Sequence, residues 1–219
     1  MTTTICPTVI INRAVPGSGK TTVSRCIDDE LHKANLRVGV HSTDEFFMIG
    51  NRYVFDIKKL WEYHTKTLDN FISDLRIGLD VVICDNTNLL PWEVEPYTKA
   101  AREYGYRIIV INFAPRELEK HLAAQQVTPE RPDAHNLTED TLIRFIEDFE
   151  TYNDLLDKEK PIDPERHFVY YWDNELCQHV RSDEPTRHFD SDLVVTILPE
   201  EYNEIKQTIG ASILEQVVT

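Results

Sequence analysis

The chain contains no apolar run approaching the roughly 18 residues that a membrane span needs. Its first residues, MTTTICPTVIIN, lack the basic flank and small-residue cleavage site of a secretory leader. Both absences point to a cytoplasmic protein. Cysteine is also scarce: Cys6, Cys26, Cys84 and Cys177 lie far apart, with neither a C-x-x-C pair nor the Cys/His spacing of a zinc site. In a reducing compartment these thiols are expected to be reduced and mostly buried. Positive charge is the third shortage. With 23 Lys and Arg against 38 Asp and Glu the net charge is −15, and so acidic a surface repels phosphate backbones unless basic residues gather locally. They gather slightly in residues 1–60, where Arg13, Lys20, Arg25, Lys33, Arg37, Arg52, Lys58 and Lys59 outnumber Asp28, Asp29, Glu30, Asp44, Glu45 and Asp56. That leaves +2 in this third of the chain and −17 in the remainder. A polyanionic ligand should therefore approach through the first third, and no extended basic track for long nucleic acid is offered. Repeats, low-complexity segments and clean linkers are absent too, so the 219 residues are expected to form a single domain.

What the sequence does have is alternation. Short β-branched runs and amphipathic stretches of helical length follow one another, the pattern of strand and helix crossovers in a parallel sheet. PTVIINRA reads as a strand followed by a helix over about Lys20–Ala34, and LRVGVHST as a second strand. A helix over about Ile57–Arg76 carries Leu60, His64, Leu68, Phe71, Ile72 and Leu75 on one face. DVVICDNTN is a third strand, followed by a helix from near Pro91 to about Tyr104, and YRIIVINFA a fourth, with Pro115 opening a helix to about Gln125. The stretch QQVTPERPDAHN breaks the rhythm with two prolines and reads as a mobile loop. A helix capped by Asn136, with Glu139 three residues later, should follow, its acidic run EDFETYNDLLDKEK forming a solvated face. Two strand-like runs, HFVYYW and DLVVTIL, and a helix from Glu200 complete the chain.

The chemistry concentrates where strands end. NRAVPGSGKTT leaves the first strand and opens a helix, so backbone N–H groups and the helix dipole converge on any phosphate bound there. Pro16, Gly17, Ser18, Gly19, Lys20, Thr21 and Thr22 form this loop: the glycines permit the backbone turn, Lys20 reaches the outer phosphates of ATP, and the Thr21 hydroxyl can ligate Mg2+. The G-x-x-x-x-G-K-[ST] pattern asks for glycine where Ala14 stands, which costs little provided Ala14 lies outside the positive-φ region. Asp85 ends VVIC at the carboxyl edge of the sheet, fit either to hold Mg2+ or to cap a turn. Asn86, Thr87 and Asn88 can orient water or substrate. Asp44, after the second strand, is placed to accept a proton from an attacking hydroxyl, or else to cap a helix. Glu45 competes with it, but on extended backbone only one of two neighbours faces the crevice. Trp61, Tyr53 and Tyr63 are candidate stacking partners for a base, with packing as the competing role. His64 reads as a packed histidine, and Arg116 as either a nucleotide contact or a surface ion pair.

VPGSGKTT, then HSTDEFF leading to YVFD, then VVICDNTNLLPWEVEPYTKAAREYGYRIIV together resemble the polynucleotide 5'-hydroxyl kinase branch of the P-loop kinases. The resemblance includes the kinase-like domain carried by a family of ubiquitin-ligase-binding proteins. It spans roughly residues 8–125, leaving residues 160–219 outside. It implies an α/β three-layer sandwich, a mostly parallel sheet of about five strands with helices on both faces and a lid, that transfers phosphate from ATP, with Mg2+, to a hydroxyl. By position it makes Asp44 the general base, Lys20 the phosphate-loop lysine, Thr21 the Mg2+ hydroxyl and Asp85 the acidic strand-end residue beside the metal; Thr43 and Asn88 are expected to contact the substrate. Two departures follow. Phe47 stands where phage-type members carry a substrate-binding arginine, so Arg52 is the expected substitute. The lid, about residues 125–137, is poor in arginine, which leaves Arg131 to meet the transferred phosphoryl group. The implied acceptor is a nucleic-acid 5' end, whereas the acidity favours a small alcohol or a strand end inserting few nucleotides. A nucleotide-binding switch without transfer is the third reading.

Overall fold

A computed structural model of the chain describes residues 4–173, 178–182 and 184–218. Five strands form the central sheet: β1 (Thr8–Ala14), β2 (Val38–His41), β5 (Val81–Cys84), β6 (Arg107–Phe113) and β9 (Leu193–Ile197). Their order is β2-β5-β1-β6-β9, and every neighbouring pair is parallel. Parallel neighbours require crossovers, which is why helices sit on both faces. The alternation expected of the sequence is therefore correct, and its four early strands pair in register from Thr8 onward, Val9 with Val82 and Ile108, Ile10 with Ile83 and Ile109.

Because successive strand residues face opposite sides, the central strands feed two cores. Val9, Ile11, Val82, Cys84, Ile108 and Val110 pack under α2 (Ile57–Arg76) and α3 (Pro91–Glu103), against Phe71, Leu75, Val94 and Tyr97. Ile10, Ala14, Ile83, Ile109, Ile111 and Phe113 pack under α1 (Lys20–Lys33) and α6 (Tyr202–Val217), against Val23, Ile27, Leu31, Ile209 and Ile213. A third cluster joins Val15 and Leu89 to Leu142 and Phe149 of α5 (Glu139–Asn153), next to α4 (Leu118–Gln125).

Arg13 penetrates this interior. It is fully buried and donates to the carbonyls of Leu89 and Phe149 and to Asn112 Oδ1, with its guanidinium 4.1 Å from the Phe149 ring centroid. Burial lowers its pKa to about 9, which leaves it cationic at neutral pH.

Several boundaries differ from expectation for local reasons. The helix after β6 begins at Leu118, not Pro115: Glu117 is its N-cap with a non-helical ψ of 142°, and the Arg116 amide donates to the ring of His121. α5 is capped by Thr138, whose hydroxyl accepts from the Thr141 amide, while Asn136 adopts a positive φ of 51° and donates its amide to the Gln125 carbonyl. DLVVTIL joins the sheet as β9 and extends it to five strands. HFVYYW contributes only β7 (Tyr170–Asp173), which pairs antiparallel with β8 (Gln178–Arg181) apart from the sheet. The last helix starts at Tyr202 rather than Glu200. A short hairpin, β3 (Met48–Ile49) with β4 (Arg52–Tyr53), lies in a stretch that gave no periodic signal. Of the cysteines, Cys84 is buried and Cys6 and Cys26 are half-buried, all three free; Cys177 lies outside the described residues. No described helix is long and apolar enough to cross a membrane.

Candidate active site

The crevice forms at the carboxyl ends of β1, β5 and β2, three adjacent strands. Ala14 ends β1 in the sheet, fully buried, its amide donating to the Thr87 carbonyl at 2.8 Å, and it is not among the positive-φ residues. The missing glycine of the loop pattern therefore costs nothing sterically. Positive φ falls instead on Gly17 (86°) and Gly19 (91°). Both positions are also tight: a β-carbon at Gly17 would stand 2.9 Å from Ala124 Cβ, and one at Gly19 would overlap the Tyr202 hydroxyl.

Lys20 opens α1 and lies over β5, its Nζ donating to the Asp85 carbonyl at 2.8 Å and standing 3.7 Å from Asp85 Oδ1. Asp85 is 2% exposed, and Asn12 Nδ2 (2.7 Å) and Ser24 Oγ (3.2 Å) both donate to Oδ1. Thr21 and Thr22 are exposed at the mouth. A buried carboxylate and an exposed hydroxyl beside a lysine are hard oxygen donors of the kind Mg2+ takes together with substrate phosphates and water, rather than from an all-protein cage. Among the described residues no group of three or more His, Cys, Asp or Glu forms such a cage. The Ser18 hydroxyl is buried with no hydrogen-bond partner. In a loop of this shape it is a donor that a phosphate oxygen would satisfy. These features fit a nucleoside triphosphate with Mg2+ held by Thr21 and Asp85.

Residues from far along the chain lock the loop. His121 of α4 is fully buried; its Nε2 accepts from the Arg116 amide at 3.0 Å, so Nδ1 carries the hydrogen and donates to the Pro16 carbonyl at 2.8 Å. Burial lowers its pKa, against the effect of the Pro16 bond. Arg116 donates to the Ser18 carbonyl at 3.3 Å, and its guanidinium stands 4.7 Å from the Tyr202 ring centroid. It thus faces the phosphate loop rather than making a surface ion pair. Tyr202, the first residue of α6, donates to the Gly19 carbonyl at 3.2 Å. None of His121, Gln125 or Tyr202 carried a motif.

Asp44 stands across the crevice, on a single 3-10 turn, Thr43–Phe47, capped by Ser42. This corrects the extended backbone expected there: Asp44 and Glu45 both lie on the 3-10 turn, where neighbours diverge by about 120°, and Glu45 is exposed. Partial burial raises the Glu45 carboxyl, opposed by His41 and reinforced by the charges of Asp85 and Asp44. Asp44 Oδ1 accepts from the Tyr53 hydroxyl at 3.1 Å, and Oδ2 lies 3.7 Å from His135 Nε2. Tyr53 stacks on His135 with ring centroids 3.9 Å apart and planes 15° from parallel. Burial, then Asp44, raises the Tyr53 phenol, which stays protonated. Burial lowers His135, with Asp44 and Asp133 acting against it and Lys20 and Arg131 with it.

The remaining expected contacts divide. Thr43 (4% exposed) and Asn88 (3%) are inside the scaffold. Thr43 donates its amide to Asn86 Oδ1 and shares its hydroxyl with His64 and Thr67, while Asn88 donates to the Asn12 carbonyl at 2.7 Å. The expected substrate contact gives way at both positions to a supporting one. Asn86 is likewise spent between Thr43 and Tyr97. Arg52 is exposed on β4, and Arg131 sits in a turn at the lid tip, its amide donating to the Thr128 carbonyl and hydroxyl. His64 is exposed on α2, while its Nδ1 lies 3.2 Å from the buried Thr43 hydroxyl. Tyr63 packs on Phe46 and Phe47, whereas Trp61 is 83% exposed and so belongs to no core.

A glycine-lysine-threonine loop between the central strand and the first helix of this parallel sheet defines a kinase-like P-loop domain of α/β three-layer architecture. Residues 9–151 match the family described as AAA domain, and the chain belongs to that family. It is 26% identical over 150 residues to NEDD4-binding protein 2 of Homo sapiens; the match takes in 66% of this chain and only 8% of that much longer protein. Among solved structures, a candidate kinase from Chloroflexus aurantiacus is similar at a TM-score of 0.57, with 12% identity and coverage of 97% of this chain and 99% of that one. Chaetomium thermophilum Kti12 in complex with ADP-AlF3 is similar at 0.54, with 14% identity and coverage of 95% and 98%. At these identities the likeness is one of fold.

Proposed function

We propose that this chain is an ATP-dependent phosphotransferase that phosphorylates the 5'-hydroxyl of a nucleic-acid end. The observation that carries the reading is that Asp44 and the Lys20–Asp85 pair occupy the ends of adjacent parallel strands, β2 and β5, so a proton acceptor faces a phosphate loop across one crevice. The loop amides and Lys20 hold the triphosphate. Thr21 and Asp85 would hold Mg2+, which when bound would supply charge neutralisation for the phosphates. Asp44 accepts the proton of the acceptor hydroxyl while its oxygen bonds to the γ-phosphorus and the bond to the bridging oxygen of ADP breaks. Catalysis of this kind is mostly positioning and charge stabilisation.

Exposed Arg52, on β4 beside the Tyr53 that donates to Asp44, favours a strand end over a neutral acceptor. The net charge of −15 favours the second reading, a kinase of a small alcohol, and is the reason only a few nucleotides would enter. The C-terminal residues belong to the same unit in this reading, since β9 completes the sheet and Tyr202 touches Gly19. A reducing cytoplasm suits its free thiols.

The test is transfer of γ-phosphate label from ATP to a 5'-hydroxyl oligonucleotide. Transfer should occur and should drop by about a hundred- to ten-thousandfold in Asp44→Asn, with ATP affinity unchanged. Labelling of small alcohols alone would establish the second reading. ATP binding without transfer to any acceptor would make the domain a nucleotide-dependent switch.

A further inference from the structure

Three segments meet at Asp44: the 3-10 turn that carries it, the hairpin strand β4 close by in sequence, and the distant lid. Tyr53 of β4 pins Oδ1 with its hydroxyl, and His135 of the lid lies flat on the Tyr53 ring. At 3.7 Å from Oδ2, His135 Nε2 is beyond hydrogen-bonding distance. The histidine therefore acts on Asp44 mainly through the tyrosine.

We propose that Tyr53 is a positioning residue for the proton-accepting carboxylate, and that His135 makes this positioning conditional on a closed lid. The inference rests on the phosphotransferase reading above. A carboxylate whose side chain is 38% exposed rotates about its side-chain bonds unless it is held, and each misorientation removes it from the acceptor. A donor on Oδ1 leaves Oδ2 to receive the acceptor proton in a fixed direction. Tyr53 sits on a strand of two residues, with Phe47 and Phe55 at centroid distances of 5.7 and 6.5 Å, so the closer stack on His135 holds its ring.

His135 in turn is placed by the phosphate loop. Ala134 before it is buried, and Asn136 after it donates its amide to the Gln125 carbonyl at 2.9 Å. The Gln125 side chain lies beside Gly17, its Nε2 3.2 Å from where a β-carbon there would stand. A continuous path thus runs from Gly17 through Gln125, Asn136, His135 and Tyr53 to Asp44. Closing the lid over the loop assembles the base on the opposite wall.

The test combines kinetics with a readout that needs no acceptor. Tyr53→Phe removes only the hydroxyl, His135→Ala removes the stack, and His135→Phe keeps a flat ring without the ring nitrogens. In labelled transfer from ATP to a 5'-hydroxyl oligonucleotide, Tyr53→Phe and His135→Ala should each lower kcat by about ten- to a hundredfold, the scale of a misplaced reactive group, with KM for ATP unchanged. The double variant should be little worse than either single one, and His135→Phe should recover most of the loss. Additive losses, a change confined to KM, or failure of His135→Phe to recover would overturn the proposal.

In the ligand-free protein carrying 13C-labelled tyrosine rings, the Tyr53 resonance is assigned by its absence from Tyr53→Phe. It should move in both His135→Ala and Asp44→Asn. An unmoved resonance would overturn the clamp whether or not an acceptor is found. If Asp44→Asn abolishes transfer while Tyr53→Phe and His135→Ala keep kcat, the clamp alone fails. If the oligonucleotide takes no label, the acceptor reading fails and the spectrum still decides the clamp.

Discussion

Asp85 and Asp44 stand at the ends of neighbouring strands, yet they are held in opposite ways. Asp85 is 2% exposed, follows a strand buried on both faces, and takes hydrogen bonds from Asn12 and Ser24 while Lys20 rests on its carbonyl. Asp44 has a side chain 38% exposed, rides on a single 3-10 turn, and takes its hydroxyl donor from a two-residue strand and its neighbour from a lid. The nucleotide half of the crevice is welded to the sheet; the acceptor half hangs from connecting segments. A loop that must cradle three charged phosphates gains from rigid donors, whereas a wall that must admit one molecule and release another gains from parts that open cheaply.

Breaking the nucleotide half should have the largest effect. Lys20→Ala is expected to lower transfer by about a thousandfold or more and to weaken ATP binding in titration calorimetry. Its Tm should fall by only a few degrees, because Asn12 and Ser24 still satisfy Asp85. Asp44→Asn should lose transfer and keep ATP binding. If both variants bind ATP equally well, or if Lys20→Ala keeps transfer within tenfold, the division of the crevice is wrong.

The comparison sharpens at two glycines of positive φ. Gly19 (91°) carries Tyr202 directly over its open side, while Gly50 (64°), in the β3–β4 hairpin, has nothing within 4 Å of an added β-carbon. Left-handed backbone costs an L-residue roughly 1–2 kcal/mol at either place. Only Gly19→Ala adds a clash, so its thermal melting should fall further than that of Gly50→Ala. Tyr202→Ala in the Gly19→Ala background should return the difference. Equal melting of the two glycine variants would show that Tyr202 yields freely and that the C-terminal helix does not brace the loop.

The same division explains what could be read from the sequence. The positions of the loop from Pro16 to Thr22, of Asp85 and of Asp44 after their strands were legible because each depends on local grammar: a glycine turn between strand and helix, or a carboxylate following a β-branched run. The helix over Ile57–Arg76 was legible from its apolar period. The residues that lock the site were not, since their signal is tertiary: Tyr202 is 183 residues from Gly19, and His121 is 105 from Pro16. His135 sits in PDAHN, a stretch with no period at all. Expectation there settled on Arg131 because charge suits a phosphoryl group, and the structure brings to Asp44 a lid histidine stacked on Tyr53.

The two histidines offer the mildest test. His121 is buried against the phosphate loop and accepts a hydrogen bond at Nε2, so protonation would set N–H against N–H; His135 lies in the lid. Burial lowers both. In the unfolded chain a histidine takes its proton near pH 6.5, so on acidification the unfolded state gains protons before the folded one does. The stability these residues confer is complete above about pH 6.5 and is lost as pH falls toward their depressed folded values, at no more than about 1.4 kcal/mol per pH unit for each. Melting measured from pH 8 to pH 5 should fall less steeply in His121→Asn and in His135→Ala than in the unmodified protein. Only His121→Asn should also weaken ATP binding at pH 7, since it alone holds the Pro16 carbonyl. A loss of ATP affinity in His135→Ala equal to that in His121→Asn would place the lid histidine in the nucleotide half and erase the distinction between the two walls.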